Sequence, residues 1–226
     1  MTVRTVLLTR PYNDSVDIAR DISGMGFEPV IAPLLIIQPI PHSSVTTPDA
    51  LVFTSANGVR HLNPTFLSVP VFTVGDMTAQ AAREKGYMNV TSADGAVNDL
   101  RAIIPPAFQK ILYVRGEDVS QTPWPSLDDM IVYRAVKVDD FSDNLKKSLS
   151  AGTVGAVMFF SSRTAEHFVS LMRKNRLETA VKPIKALCMS GRVVESASAL
   201  PWIQIDVATT PTRRGMLDLL KRVMGE

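Results

Sequence analysis

The sequence predicts an α/β protein with parallel sheets in two lobes, and three observations carry that prediction. Short β-rich apolar runs alternate with amphipathic stretches of ten or so residues along the chain, which is how right-handed βαβ units are written. The second half of the chain echoes the first, segment by segment. Two extended stretches, LLIIQPIPHSSVTTPDA at 34–50 and MIVYRAVKVDDF at 130–141, interrupt the alternation without a helix signal.

In the first half, VLLT (6–9), EPVIAPL (28–34), ALVFTS (50–55), VFTVG (71–75) and NVTS (89–92) read as strands. SVDIARDISGMG and TAQAAREKG read as helices, each closed by a glycine that can take the left-handed C-terminal conformation. The second half offers ILYV (111–114), MIVYRAV (130–136), AVMFFS (156–161), KALCMS (185–190) and QIDVAT (204–209) as strands.

The echoes keep their order. VLLTRP at 6–11 matches ILYVRG at 111–116, placing Arg10 and Arg115 alike after a strand. LVFTSANGVRHL at 51–62 matches VMFFSSRTAEHF at 157–168: an apolar run, hydroxyls, then a helix with a histidine in its second turn. VFTVGDMTAQAA (71–82) matches ALCMSGRVVESA (186–197), and VTSADGAVNDL (90–100) matches VATTPTRRGML (207–217). An internal duplication is expected. If the two extended stretches run side by side, the chain crosses twice, and residues 1–36 with 138–226 form a discontinuous lobe. Residues 42–131 then form the second lobe, and 37–41 with 132–137 connect them.

Bulk properties narrow the function. The 226 residues are 46% hydrophobic and 20% charged, with net charge +2 and pI 8.7, and the basic residues are scattered, so a nucleic-acid partner is not implied. The single cysteine, Cys188 in the run ALCM, excludes a disulfide framework and fits a reducing cytosol. No signal-peptide pattern opens the chain and no apolar run approaches the roughly 20 residues of a membrane span, so a cytoplasmic protein is expected.

Small polar ledges follow the strands: TRP, TSAN, VGDMT, SADG, VRGED, SSRT, MSGR and TTPTRRG. Ligands of open parallel sheets bind at the carboxyl ends of strands, and helix N-termini there favour carboxylate or phosphate. Any one ledge alone is also what plain helix capping would write. All eight facing a shared cleft would be an anion-binding surface. GMG at 24–26 sits at a helix end and is no dinucleotide fingerprint; no phosphate-loop lysine motif occurs; TSANG is no nucleophile elbow. His42, His61 and His167 lack acidic or cysteine partners at ligand spacing, so no metal site is expected.

LLTRP, LVFTSANGV, VFTVGDMTAQAAREKG, ILYVRGE, VYRAV and TTPTRRGMLDLL, in this order along nearly the whole chain, resemble the uroporphyrinogen-III synthase family. The resemblance implies two flavodoxin-like parallel-sheet lobes joined by a two-stranded β-ladder. It implies a cofactor-free hydro-lyase that closes linear hydroxymethylbilane into uroporphyrinogen III, inverting the last pyrrole ring and losing water, in tetrapyrrole (haem) biosynthesis. It also implies a monomer, fed by hydroxymethylbilane synthase, that grips a substrate bearing an acetate and a propionate on every ring.

Carried onto this chain, the family's G-x-x-T-A motif falls on Gly75 to Ala79 and names Thr78 as a catalytic candidate. A helix position where some relatives carry tyrosine falls on His167, the second candidate. The binding candidates are Arg10, Ser55, Asn57, Gly75, Arg115, Ser161, Ser162, Ser190, Gly191, Thr209, Thr210 and Thr212. The duplicate of Thr78 is Val193, so one lobe is expected to carry more of the chemistry. Two rivals remain: a non-catalytic bilobal binder of a small polyanion, and a two-lobed glycosyltransferase lacking a recognisable nucleotide motif.

Overall fold

In the computed structural model, residues 5–43, 45–93, 99–118 and 127–225 are described. The chain runs β1 (Thr5–Leu8), α1 (Tyr12–Gly24), β2 (Glu28–Ile31), β3 (Leu35–Pro39), β4 (Ala50–Phe53), α2 (Ala56–His61), β5 (Val71–Val74), α3 (Asp76–Glu84), β6 (Val90–Ala93), α4 (Leu100–Ile103) and β7 (Ile111–Gly116). It continues through β8 (Asp128–Lys137), α5 (Asp143–Ser150), β9 (Val154–Phe159), α6 (Ser162–Lys174), a 3₁₀ turn (Glu178–Val181), β10 (Lys185–Cys188), α7 (Gly191–Ala197), β11 (Gln204–Val207) and α8 (Arg213–Met224).

The chain divides into two compact units. Met1–Ile36 with Lys137–Glu226 make the terminal unit, and Ile37–Val136 the middle unit. The terminal unit holds a five-stranded sheet in the order β11-β10-β9-β1-β2, parallel at every pairing. Its two faces are both apolar: Leu7, Val157, Phe159 and Ala186 point to the face under α5, α6 and α7, while Val6, Leu8, Met158 and Leu187 point to the face under α1 and α8. A sheet buried on both sides requires the near-continuous apolar runs seen in the sequence.

The middle unit holds a six-stranded sheet ordered β3-β8-β7-β4-β5-β6, parallel from β8 through β6. Leu51, Phe53, Val71 and Val114 face α2 and α3, and Val52, Phe72, Tyr113 and Leu100 of α4 pack on the other side.

The extended stretch at 130–136 does more than connect. Asp128–Tyr133 pair in parallel with Leu112–Gly116, with a register shift after Arg115, so β8 belongs to the middle sheet before it meets β3. Backbone bonds from Ile40 N–H to Val132 O (2.9 Å) and from Val138 N–H to Leu34 O (3.1 Å) run in opposite order along the two segments, which makes β3 and β8 antiparallel. β2 is shorter than the run EPVIAPL suggests: it ends at Ile31, two residues before Pro33. β11 likewise stops at Val207, leaving Ala208 and Thr209 to the loop before α8. The helix-closing glycines behave as expected, with Gly26 at φ +82° and Gly86 at φ +100°.

Candidate functional site

Register decides which candidates meet. In the terminal unit Leu8 lies beside Met158, Phe159 beside Cys188, and Cys188 beside Val207. The carboxyl ends of β1, β9, β10 and β11 therefore stand in a row. Backbone bonds continue the row, from Met189 N–H to Phe159 O (3.0 Å) and from Ala208 N–H to Cys188 O (2.9 Å). Arg10, Ser161, Ser162, Ser190, Gly191, Thr209, Thr210 and Thr212 all follow these ends, on one edge of one sheet.

Their local chemistry differs. Ser161 caps α6, accepting from Thr164 N–H at 3.3 Å, and its hydroxyl lies 2.6 Å from that of Thr164. Ser162 is the first residue of the helix and half-buried. Thr212 caps α8, accepting from Gly215 N–H at 3.1 Å, with the Thr210 hydroxyl 3.3 Å away; both threonines and Thr209 are exposed. Ser190 occupies the cap position of α7 without a side-chain cap bond, leaving its hydroxyl and the Gly191 amide at an exposed helix start. Arg10 lays its guanidinium 4.8 Å over the Phe160 ring, a cation–π contact that ties the end of β1 to the end of β9. The ledge TRP starts its helix differently, since Pro11 holds the cap position and Ser15 donates back to the Arg10 and Pro11 carbonyls.

His167 is not an exposed helix residue. It is 8% exposed, and its Nε2–H donates to Val138 O at 2.8 Å. Burial pulls its pKa down, the Val138 bond opposes that, and Lys137 and Arg163 add to the depression. The imidazole is thus held toward its neutral form.

In the middle unit Phe53 lies beside both Val114 and Thr73, and Val74 beside Ala93, so Ser55, Asn57, Gly75, Thr78 and Arg115 share one edge. Ser55 caps α2, accepting from Asn57 N–H at 3.2 Å. Asn57 is buried and accepts from Arg60 Nη1 at 3.0 Å. Thr78 does not start its helix. Gly75 takes the cap position at φ +78°, where a side chain would strain the backbone, and Thr78 is the third helical residue, 5% exposed.

Arg115 departs most from its expected role. Nε and Nη2 donate to Asp129 at 2.8 and 2.5 Å, and Nη1 donates to the Gly116 and Glu117 carbonyls at 3.0 and 3.3 Å. All three nitrogens are engaged within the protein, so Arg115 braces the β7–β8 pair. Arg10 and Arg115 match in sequence and diverge in what they touch. Of the eight ledges, SADG runs into residues 94–98 and VRGED is followed by 119–126, which lie outside the described residues.

The structure adds residues to the middle unit that periodicity could not single out. The Tyr113 hydroxyl sits 2.8 Å from Thr54 Oγ1, and burial raises its pKa. Lys85 Nζ donates to the carbonyls of Val59 (2.6 Å), Arg60 (2.8 Å) and Leu62, closing the end of α2. Tyr113 hides inside the apolar run ILYV, and Lys85 reads as an ordinary last-turn lysine. A hollow of about 590 Å³ beside Ile31–Leu34 and Asp140–Ser142 contains none of the sequence-predicted residues. Among the described residues no helix is long and apolar enough to cross a membrane.

Known proteins resemble this chain. A protein from Ruminiclostridium josui described as porphyrin biosynthesis protein HemD is 23% identical over 97% of this chain, and the chain spans 48% of its length. A uroporphyrinogen-III synthase from Chlorobaculum parvum is 26% identical over 91% of this chain and 92% of its own. The crystal structure of a mutant uroporphyrinogen III synthase from the extremely thermophilic bacterium Thermus thermophilus has a similar fold, with a TM-score of 0.50 at 17% identity, covering 96% of this chain and 97% of that one. The family described as HEM4, uroporphyrinogen-III synthase HemD, matches residues 16–218, which take in strands of both sheets. The chain belongs to the uroporphyrinogen-III synthase family.

Proposed function

We propose that this chain closes linear hydroxymethylbilane into uroporphyrinogen III, with inversion of the last pyrrole ring and loss of water, using no metal or organic cofactor. The observation that carries the reading is the family match over residues 16–218. In the terminal unit, the starts of α6 and α8 and the hydroxyls of Ser161, Ser162, Ser190, Thr209, Thr210 and Thr212 offer donors suited to substrate carboxylates. In the middle unit the same part falls to the Ser55–Asn57 turn and the Gly75 cap. Arg10 adds a cation at the strand ends.

The chemistry requires the hydroxymethyl C–O bond to break, with the oxygen taking a proton from solvent and leaving as water and the bilane left as a cationic azafulvene. The substituted carbon of the last ring attacks that cation, and the spiro intermediate opens and recloses through the unsubstituted carbon with the ring inverted, that carbon giving its proton back to solvent. Thr78 gives the departing oxygen its first hydrogen bond. His167 would act as an acid only by releasing Val138 and gaining a proton against its burial; the proposal therefore keeps it as the brace of α6 on Val138. Positioning dominates, since well-oriented intramolecular reactions gain about 7–11 kcal/mol.

Finer features belong to the same proposal. Counted in sequence from β1, the terminal sheet reads 2-1-3-4-5, and the five parallel strands of the middle sheet, counted from β7 around to β6 without the antiparallel β3, read the same. That flavodoxin-like order supports pseudo-duplicated lobes, 1–36 with 138–226 and 42–131, joined through 37–41 and 132–137. Each unit completes its own edge from one chain, which supports a monomer, and the buried free Cys188 supports a cytoplasmic setting. Hydroxymethylbilane synthase is the expected supplier of substrate.

The test is to supply hydroxymethylbilane to the purified protein and separate the type I and type III products after oxidation. Type III should dominate. Closure without inversion yields type I, so type I alone would reduce the protein to a binder of the polyanion.

A further inference from the structure

Among the described residues, two hydroxyls beneath α3 have no partner. Thr73 is fully buried, and neither its Oγ1 nor the buried Ser92 Oγ makes a hydrogen bond. The two residues are register neighbours across β5 and β6, so their side chains rise from the same face of the sheet. That face is set by Val71, two residues before Thr73, and by Val90, two before Ser92, which both pack with Ala82 of α3. α3 returns over these strands, and Thr78 stands one turn before Ala82, nearer the carboxyl ends where Thr73 and Ser92 lie. Thr78 is buried as well.

The terminal unit treats the same place differently. Two residues before the cap of α7 stands Cys188 instead of Thr73, and the third helical residue is Val193 instead of Thr78, both buried in an apolar cluster. Neighbouring buried hydroxyls without partners are disfavoured unless something satisfies them together. A water needs two to four polar partners, and this group supplies three.

We propose that Thr73 and Ser92 hold a buried water under the first turn of α3, and that this water positions the Thr78 hydroxyl. The two lower hydroxyls donate to the water, which donates to Thr78 Oγ1 and leaves the Thr78 proton aimed outward. Thr73 and Ser92 are positioning residues, and the inference rests on the role given to Thr78 above.

The test compares Thr73→Val, Thr73→Ser, Ser92→Ala and Thr78→Val by melting temperature, by kcat and KM for type III product, and by a high-resolution crystal structure. Thr73→Val should lower kcat about three- to tenfold, as loss of one hydrogen bond implies, with KM within about twofold and no gain in Tm. Thr73→Ser should restore kcat, and Ser92→Ala should follow Thr73→Val. A Thr73→Val protein with full kcat and a raised Tm would overturn the proposal, because removing a dry orphan hydroxyl is stabilising. Full kcat in Thr78→Val alone would sink the role of Thr78, and the water would then be decided by the crystal. Solvent density within hydrogen-bonding distance of both Thr73 and Ser92 sustains the site; its absence there overturns it whatever the kinetics.

Discussion

The ledge after β9 and the ledge after β4 are nearly the same sentence in sequence, yet they are held by different forces. After β9, Ser161 opens a 13-residue helix whose Phe168, Leu171 and Met172 are buried in the largest apolar cluster of the terminal unit. Phe168 also lies 5.3 Å from both the Phe141 and Phe159 rings. After β4, Ser55 opens a helix of six residues. A helix that short does not sustain itself, since most of its backbone groups have no helical partner. It is held instead from outside, by Lys85 at its last carbonyls and by close approach to β7 at Gly58. The histidines diverge accordingly. His167 reaches out of its helix to Val138, whereas His61 Nδ1 stays 2.9 Å from Asn57 O within α2, with its ring 5.8 Å from Tyr133. A repeated motif therefore preserves where the polar groups point, while the packing that holds them is solved separately in each unit.

The sharpest way to break this contrast is at the third residue of each helix. A Cβ on Gly58 would fall 2.9 Å from Val114 O and 3.3 Å from the Phe53 ring. Gly58→Ala should cost about 2 kcal/mol in urea unfolding, because α2 must lift from β7. Thr164→Ala, at the matching place in α6, should cost about 1 kcal/mol through its lost bond with Ser161. Equal losses would erase the distinction. Lys85→Met should come next, at about 1–2 kcal/mol once its partial exposure is allowed for, with weakened hydrogen-exchange protection confined to α2. Protection that is unchanged there would mean α2 does not depend on the clamp.

Smaller effects follow. Ser161→Ala and Ser55→Ala each remove a cap, worth about 1 kcal/mol, and Ser161→Ala should be the worse because Thr164 loses a second partner. The smallest is a matter of pH. The folded pKa of His167 lies below its ordinary value of 6.5, so the unfolded chain binds that proton more readily. Stability from this residue is complete above about pH 6.5 and declines as the pH falls from there toward the folded value. His167→Gln should flatten that part of a plot of melting temperature against pH between about 7.5 and 5.5. Parallel curves for the two proteins would show that the imidazole is not the group responsible.

Much of the fold was legible because buried parallel strands write unmistakable runs: AVMFFS and ALVFTS could be little else. The edge of the terminal sheet carrying Arg10, Ser161 and Thr212 was legible too, as was the edge of the middle sheet carrying Ser55, since chain direction in βαβ units places the strand ends of each sheet on the same side. What the sequence hid was partnership. Arg115 reads like Arg10, and only the pairing of β7 with β8, which sets Asp129 opposite Tyr113, brings that carboxylate to 2.5 Å from it. Thr78 reads like a cap residue, and the positive φ of Gly75 is what moves the cap three residues earlier. The burial of His167 was hidden because its partner, Val138, is 29 residues away along the chain. These are long-range contacts, and local periodicity carries no record of them.

The ledges after β5 and β10 are unequal in chemistry under the proposed function, with Thr78 acting and Val193 only packing. The reciprocal pair Thr78→Val and Val193→Thr, assayed for type III product with hydroxymethylbilane in excess, addresses it most directly. Thr78→Val should lower kcat about tenfold or more, a loss near about 1.4 kcal/mol in the transition state, while Val193→Thr should leave kcat unchanged within about twofold and lower only the melting temperature. Full turnover in a folded Thr78→Val protein would contradict the claim.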